Sequence, residues 1–375
     1  MNNKITLTAI SFLANFIMAG FATQFGMLIE PIADKFAANV NDVASIFSLL
    51  NGGALAGTIA AFFFIEKLGI KRITLISYSL VALCAVALHL TTSLQVVMIA
   101  MTLIVFVAVC IAVWQEKLQS TMLVVQDATF NIAGVIFPLI TTYALTSSLS
   151  WSYSYLAVGL VALGTVIITL FTNFSLCEQS SNTEDKQQSE WNFGIISGGI
   201  GLFLGMLALY TFLTWAPLFV KQKFDIPFED AGNIITQYWS AALIGALIST
   251  LIVTRVKIHH FLVAIIGLAM VITFMIVTTD KLNWIGYLTY GYGFVCAALY
   301  NAFIAYGVSF VKKASSKNVS YILISGSTGA MFSPAISSFF ERIIGLQTVM
   351  YVIPLLYVAI FIMLIVSGRM KPAAA

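Results

Sequence analysis

The chain has 375 residues, of which 60% are hydrophobic and 9% are Asp, Glu, Lys or Arg, and its formal net charge is +3. Soluble domains carry about a quarter of their residues as charged side chains, so this composition, with a mean hydropathy of +0.98, excludes a soluble fold and indicates a chain that folds in lipid. The small net charge, with neither a basic stripe nor a zinc-type Cys/His spacing, excludes nucleic acid as a partner and predicts no metal or cofactor.

Twelve apolar runs are each long enough to cross a bilayer as a helix, which takes about 20 residues. They predict an all-α integral membrane protein whose partner is the lipid bilayer. The predicted spans are 6–29, 43–65, 72–92, 95–114, 121–146 and 151–173 in the first half, and 192–219, 231–254, 259–279, 283–310, 317–339 and 347–368 in the second.

One long polar stretch, 176–190, separates six spans from the other six. Its composition cannot form a buried core and is typical of a flexible surface linker. We therefore predict a six-helix bundle over 1–175, a cytoplasmic linker over 176–190 and a second six-helix bundle over 191–375.

The distribution of basic residues predicts the orientation of the chain. With both termini in the cytoplasm, thirteen of the 18 Lys and Arg residues lie on the cytoplasmic side, as the positive-inside rule requires. The other five are Lys35, Lys221, Lys223, Lys281 and Arg342. We expect a multi-pass protein of the cell inner (plasma) membrane with both ends inside.

A weak internal repeat relates the two halves. An offset of 188 residues pairs Lys35-Phe36 with Lys223-Phe224 and Gly57 with Gly245. Further along, Gly134-Val-Ile-Phe-Pro138 is echoed by Gly329-Ala-Met-Phe-Ser-Pro334, with one residue inserted. Because both repeats run in the same sense, they predict two parallel six-helix units, a known transporter plan. Chance similarity among apolar helices is the alternative.

The turn between spans 2 and 3 reads Glu66-Lys-Leu-Gly69-Ile-Lys71-Arg72. Gly69 allows a tight turn between two helices, Glu66 could latch one conformation through a basic partner or a helix end, and Arg72 is a candidate anchor at the cytoplasmic face. The segment resembles the signature loop of the major facilitator superfamily. An ordinary charged hairpin that obeys the positive-inside rule is the alternative.

A closer resemblance is to the TsgA-type branch of the fucose–proton symporter-like group of that superfamily, and it runs through nearly the whole chain. It rests on Gln126-Asp127 with Asn131 to Pro138, on Trp191 to Gly194 with Thr214 to Pro217, on Asp230 to Asn233 with Tyr238-Trp239, and on Tyr300-Asn301 with Gly326 to Gly329. The resemblance implies the major facilitator fold and a transport role, and it leaves the cargo open because fold and function are separable.

The chain departs from the sugar symporters of this group, which use one carboxylate deep in span 1 and another in span 4. Span 1 here offers the amides of Asn15 and Gln24, and Glu116 falls near the inner end of span 4. Asp127 shares a helical face with Asn131 and lies close to the predicted cytoplasmic surface. It is either a proton carrier or a structural group, so the coupling ion stays open, with protons one choice.

Polar side chains inside membrane spans are costly, and their positions indicate a cavity. Amides and hydroxyls orient a neutral ligand, and aromatic rings pack on its apolar face. The candidates for a substrate cavity are Asn15, Gln24, Tyr210, Trp215, Gln237, Tyr300 and Asn301. The alternative for each is a hydrogen bond between helices, or an interfacial anchor for Tyr and Trp.

These residues predict a functional monomer that carries a small solute by alternating access, with proton-coupled uptake of a neutral, sugar-like substrate as its specific form. The first alternative is an exporter of drugs or metabolites with the same fold. The second is a membrane enzyme or sensor, which would need His and acidic residues clustered inside the spans. The sequence shows no such cluster and no phosphate-binding loop for ATP, so we predict a protein that is not an enzyme.

Overall fold

A computed structural model describes residues 3–104, 116–175, 191–311 and 315–369, without the side chains of Asn3, 58–63, 65–67, 116–124 and Ser316. Within these ranges every regular element is a helix. Contacts between Cα atoms divide the chain into two compact units, Met1–Asp185 and Lys186–Ala375. The predicted linker, 176–190, lies outside the described residues.

The first unit contains seven described α-helices and one short 3-10 turn. They are α1 (Asn3–Ala22), the 3-10 turn (Phe25–Met27), α2 (Ile29–Phe36), α3 (Val40–Leu68), α4 (Ile70–Leu90), α5 (Leu94–Leu103), α6 (Glu116–Thr146) and α7 (Tyr153–Phe171). Helix α1 packs on α6 and α7, and α4 packs on α7.

The second unit also contains seven described α-helices. They are α8 (Phe193–Phe224), α9 (Phe228–Val253), α10 (Ile258–Thr278), α11 (Leu282–Cys296), α12 (Leu299–Val308), α13 (Ser316–Ile344) and α14 (Leu346–Ser367). Helix α8 is the centre of this unit and packs on α13, α14, α12 and α9.

The described residues contain ten stretches that are long and apolar enough to cross a membrane. Each coincides with a predicted span, and the two remaining predicted spans correspond to α3 and to α5, whose described part ends at Leu103. The predicted all-helical membrane fold is therefore confirmed. Its physical basis is that a helix satisfies all its backbone hydrogen bonds internally, which lipid requires.

The offset of 188 residues is reproduced in the backbone of the two units. Ala37 ends α2 with φ 49°, and Asp225 ends α8 with φ 51°. Left-handed backbone is uncommon outside glycine, so two such residues at the repeat distance are informative. The next helices begin at Val40 and Phe228, again 188 residues apart, which makes the repeat structural.

Two predicted spans are interrupted within the membrane, where we expected continuous helices. In span 1 the α-helix ends at Ala22, and a 3-10 turn begins at Phe25. In span 10 one helix ends at Cys296 and the next begins at Leu299, so Ala297 and Ala298 interrupt the span. Alanine is the best helix former, so local propensity does not cause the second interruption. We attribute it to packing within the second unit.

Candidate functional site

In the first unit, Asn15 connects α1 to α6. Its Nδ2 donates a hydrogen bond to the carbonyl oxygen of Gln126 at 2.7 Å. The next residue, Asp127, is exposed, and its carbonyl oxygen accepts a hydrogen bond from Asn131 Nδ2 at 3.0 Å. The structure therefore places two of the predicted candidates, Asn15 and Asp127, at one contact between helices.

Gln24 lies at the interruption of span 1 and is fully buried. Its Nε2 donates a hydrogen bond to the carbonyl oxygen of Gly20 at 2.5 Å. In a continuous helix that oxygen would accept from the backbone N–H four residues later, so the side-chain amide of Gln24 replaces a backbone donor. Its Oε1 accepts a hydrogen bond from the Thr141 hydroxyl on α6. Both ends of the amide are thus engaged in stabilising the break.

Trp215 makes a similar contact in the second unit. It is fully buried in α8, and its Nε1 donates to Ser337 Oγ on α13 at 2.8 Å. Ser337 follows Pro334 by three residues, as Thr141 follows Pro138. In each unit, a hydroxyl three residues after the helix proline therefore bonds to the neighbouring first helix. This relationship gives Gln24 and Trp215 a structural role in the conformation described.

Tyr210, Tyr300 and Asn301 surround the interruption of span 10. Tyr210 lies near Tyr300 and near Tyr238. The Tyr300 hydroxyl donates to the carbonyl oxygen of Leu323 at 3.2 Å, and Tyr300 stays partly accessible. Asn301, in the first turn of α12, is exposed. The structure thus places Tyr210 near Tyr300, and Asn301 follows Tyr300 directly in α12.

Gln237 differs from the other predicted amides. It is half-buried in α9, and its carboxamide packs against Gly286 of α11, where an added Cβ would lie 3.4 Å from Nε2. Neither end of the amide makes a hydrogen bond with any residue that the structure describes. A free amide within an apolar span needs water or a ligand as its partner.

The position of Gln237 is fixed by close packing between α9 and α11. A Cβ at Gly245 would lie 2.3 Å from the carbonyl oxygen of Phe294, and one at Gly293 would lie 2.1 Å from that of Tyr238. Glycine therefore allows the two backbones to touch at Tyr238, directly after Gln237, and again two turns further along α9 at Gly245. A rigid support of this kind is what positions a binding side chain.

A buried array of phenols, which the sequence did not predict, lies behind these residues. The Tyr292 and Tyr357 hydroxyls are 2.8 Å apart, and Cys296 Sγ is 3.6 Å from the Tyr357 hydroxyl. The Tyr292 ring packs edge-on against Phe212 at 4.8 Å. The only available signal was the number of tyrosines in these spans, which does not say which of them meet.

The candidates for coupling and gating are dispersed in the described part of the chain. Arg72 is exposed near the start of α4, whereas the side chains of Glu66 and Glu116 lie outside those described. Lys71, which precedes Arg72, binds the end of α7. Its Nζ donates to the carbonyl oxygens of Leu170 at 3.0 Å and Thr172 at 2.8 Å, which caps the end of α7.

Charged side chains in the described portion of the second unit lie near helix ends, away from Tyr210, Gln237 and Asn301. The same residues include no group of His, Cys, Asp and Glu that could hold a metal ion. The surface around Gln237 therefore offers neutral hydrogen-bonding groups and aromatic rings.

A family model described as Major Facilitator Superfamily matches residues 10–320. The chain belongs to this superfamily. Its relatives include proteins named TsgA homolog from Serratia proteamaculans (strain 568) and Yersinia pestis (strain Pestoides F), each 23% identical over an alignment of 378 positions that covers 98% of this chain and 96% of the relative. The resemblance to the TsgA-type branch is thereby confirmed.

Solved structures of superfamily transporters share the fold. The crystal structure of the nucleoside transporter NupG has a TM-score of 0.71 at 14% identity and covers 99% of this chain and 100% of its own. The human organic anion transporter MFSD10 (TETRAN) has a TM-score of 0.68 at 13% identity and covers 97% and 100%. At these identities the similarity establishes the fold, and the family identifies a transport protein of the membrane.

Proposed function

We propose that this superfamily member is a secondary transporter that moves a small, neutral, polar solute by alternating access. The observation that carries the proposal is the free carboxamide of Gln237, half-buried in an apolar span and held by close packing. A carboxamide both donates and accepts hydrogen bonds, so it suits a solute with hydroxyl or amide groups. Tyr210, Tyr300 and Asn301 provide further polar groups and ring faces in the same unit.

The absence of mid-span charge in the described part of the second unit supports a neutral cargo. A buried ionised solute would need a compensating charge, which is costly to provide in a medium of low dielectric constant. NupG, a nucleoside transporter of similar fold, agrees with a neutral solute that carries hydroxyl groups. An exporter of the same fold remains the alternative, and transport assays in both directions separate the two.

The cellular context completes the proposal. The positive-inside count supports an inner-membrane protein with both termini in the cytoplasm, and six predicted spans in each half support a functional monomer with a cytoplasmic linker over 176–190. Asp127, exposed three residues into the apolar stretch that begins at Val125, is the acid we propose for proton coupling.

A thermal-shift screen tests the cargo class. Purified protein is heated with a library of nucleosides, monosaccharides and polar amides, beside the variants Gln237→Leu and Ser240→Ala. Ser240 is a matched control because it lies on the same helix and its hydroxyl already bonds to the carbonyl oxygen of Thr236 at 2.7 Å. We expect a neutral solute to stabilise the wild type and Ser240→Ala but not Gln237→Leu. Equal stabilisation of all three would remove Gln237 from the site.

A further inference from the structure

An apolar groove lies between α10 and α14 in the second unit. Its volume is about 410 Å³, and its lining residues are Met270, Val271, Phe274, Tyr351, Pro354, Leu355 and Val358. Pro354 lies inside α14, where it has no backbone N–H and bends a helix. The groove is therefore built by two membrane-spanning helices, and its walls are apolar, with Tyr351 as the one lining residue whose side chain carries a hydroxyl.

The side chains of the groove face the surroundings of the unit. The exposed fractions of Val271, Phe274 and Leu355 are 48%, 54% and 63%. Helices α10 and α14 are the two most hydropathic of the apolar stretches described, and a helix that exposes such residues in a membrane exposes them to acyl chains. At this depth the bilayer supplies hydrocarbon to fill the groove.

The Tyr351 hydroxyl indicates that the ligand of the groove also carries a polar group. It makes no hydrogen bond with a residue in the described ranges. Tyr351 is five residues after the start of α14 at Leu346, about 7.5 Å along the axis, and helical side chains lean toward the N-terminus. The phenol therefore points to the end of the span, the depth where tyrosines lie among lipid head groups.

We propose that this groove binds one acyl chain of a diacyl glycerophospholipid, and that the Tyr351 hydroxyl donates a hydrogen bond to the ester carbonyl of that chain. The apolar walls contact the hydrocarbon from two sides, whereas a smooth helix surface contacts it from one, so the bound chain exchanges more slowly than bulk lipid. The proposal is independent of the cargo and of the direction of transport.

Native mass spectrometry of the purified protein, titrated with diester phosphatidylethanolamine, tests the groove. Val271→Trp fills it, and Leu268→Trp is the matched control because Leu268 is 52% exposed on the same helix but does not line the groove. We expect one tightly retained lipid on the wild type and on Leu268→Trp, and its loss from Val271→Trp. Val271→Ala, which enlarges the groove, should retain the lipid and controls for unfolding.

Diether phosphatidylethanolamine, which lacks the ester carbonyl, tests the hydrogen bond. We expect the wild type to prefer the diester lipid by about fivefold, the effect of one neutral hydrogen bond, and Tyr351→Phe to lose this preference. Equal lipid retention by Val271→Trp and Leu268→Trp would overturn the proposal. So would a lipid-free dimer that Val271→Trp dissociates, because the groove would then bind a second copy of the chain.

Discussion

Gly293 of α11 lies against the carbonyl oxygen of Tyr238 in α9, at a distance that leaves no room for a side chain. A Cβ at Gly293 would be 2.1 Å from that oxygen, and the opposing atom belongs to the backbone, so it cannot rotate away. The contact holds the backbone next to Gln237. Glycine at this position therefore links helix packing to the geometry of the candidate site.

Gly293→Ala should force α9 and α11 apart and destabilise the protein by about 1–3 kcal/mol, the usual effect of overpacking. The measurement is thermal unfolding of the purified variant in detergent. Gly291→Ala is the control on the same helix, since its nearest neighbour is the flexible end of Ile272 at 3.4 Å. Equal melting temperatures for the two variants would contradict the contact.

Trp215→Phe should lower stability without changing ligand binding. The variant loses the hydrogen bond to Ser337, and such bonds in membrane proteins contribute about 0.6 kcal/mol on average. The readouts are the melting temperature and its shift with any solute that stabilises the wild type. Trp284→Phe, at an exposed tryptophan, should change neither. If the solute no longer raised the melting temperature of Trp215→Phe, Trp215 would belong to the substrate cavity after all.

Lys71→Met should destabilise the first unit, because two carbonyl oxygens at the end of α7 lose their donor. We expect about 1 kcal/mol, within the range for a cation at a helix C-terminus. The neighbouring Arg72→Met removes the same charge from an exposed position and is the control. Unfolding midpoints in detergent compare the two, and an equal loss would show that the charge alone matters.

Asp127→Asn tests the coupling residue. If Asp127 carries the proton, the variant should lose accumulation driven by a proton gradient in proteoliposomes and retain exchange of labelled for unlabelled solute. Asp34→Asn, at an exposed acid in α2, should retain both activities. Normal accumulation in Asp127→Asn would remove this carboxyl group from the coupling mechanism.

The fold could be predicted from the sequence because its determinants are local. About 20 consecutive apolar residues form a helix in lipid whatever their neighbours are. The repeat was visible for a similar reason: Lys35-Phe36 and Lys223-Phe224 precede the same left-handed turn at Ala37 and Asp225. The interruption at Ala297 and Ala298 had no such signal, because alanine favours a helix.

The candidate residues could be chosen from the sequence but not ranked. Asn15, Gln24, Trp215 and Gln237 are all polar or amphipathic side chains within apolar spans, and a span does not show which helix lies opposite. The structure supplies Gln126, Gly20 and Ser337 as partners for the first three. Gln237 faces Gly286, which has no side chain to offer a hydrogen bond.

The sequence by itself determined that the chain crosses a membrane as two related sets of helices, because hydrophobic length and basic loops act within each segment. Only the tertiary structure decided which amides are engaged and which is free, where two spans break, and where α10 and α14 leave a groove. These features depend on distances between helices that are far apart in sequence, and small residues such as Gly245 and Gly293 set those distances through contacts with backbone atoms.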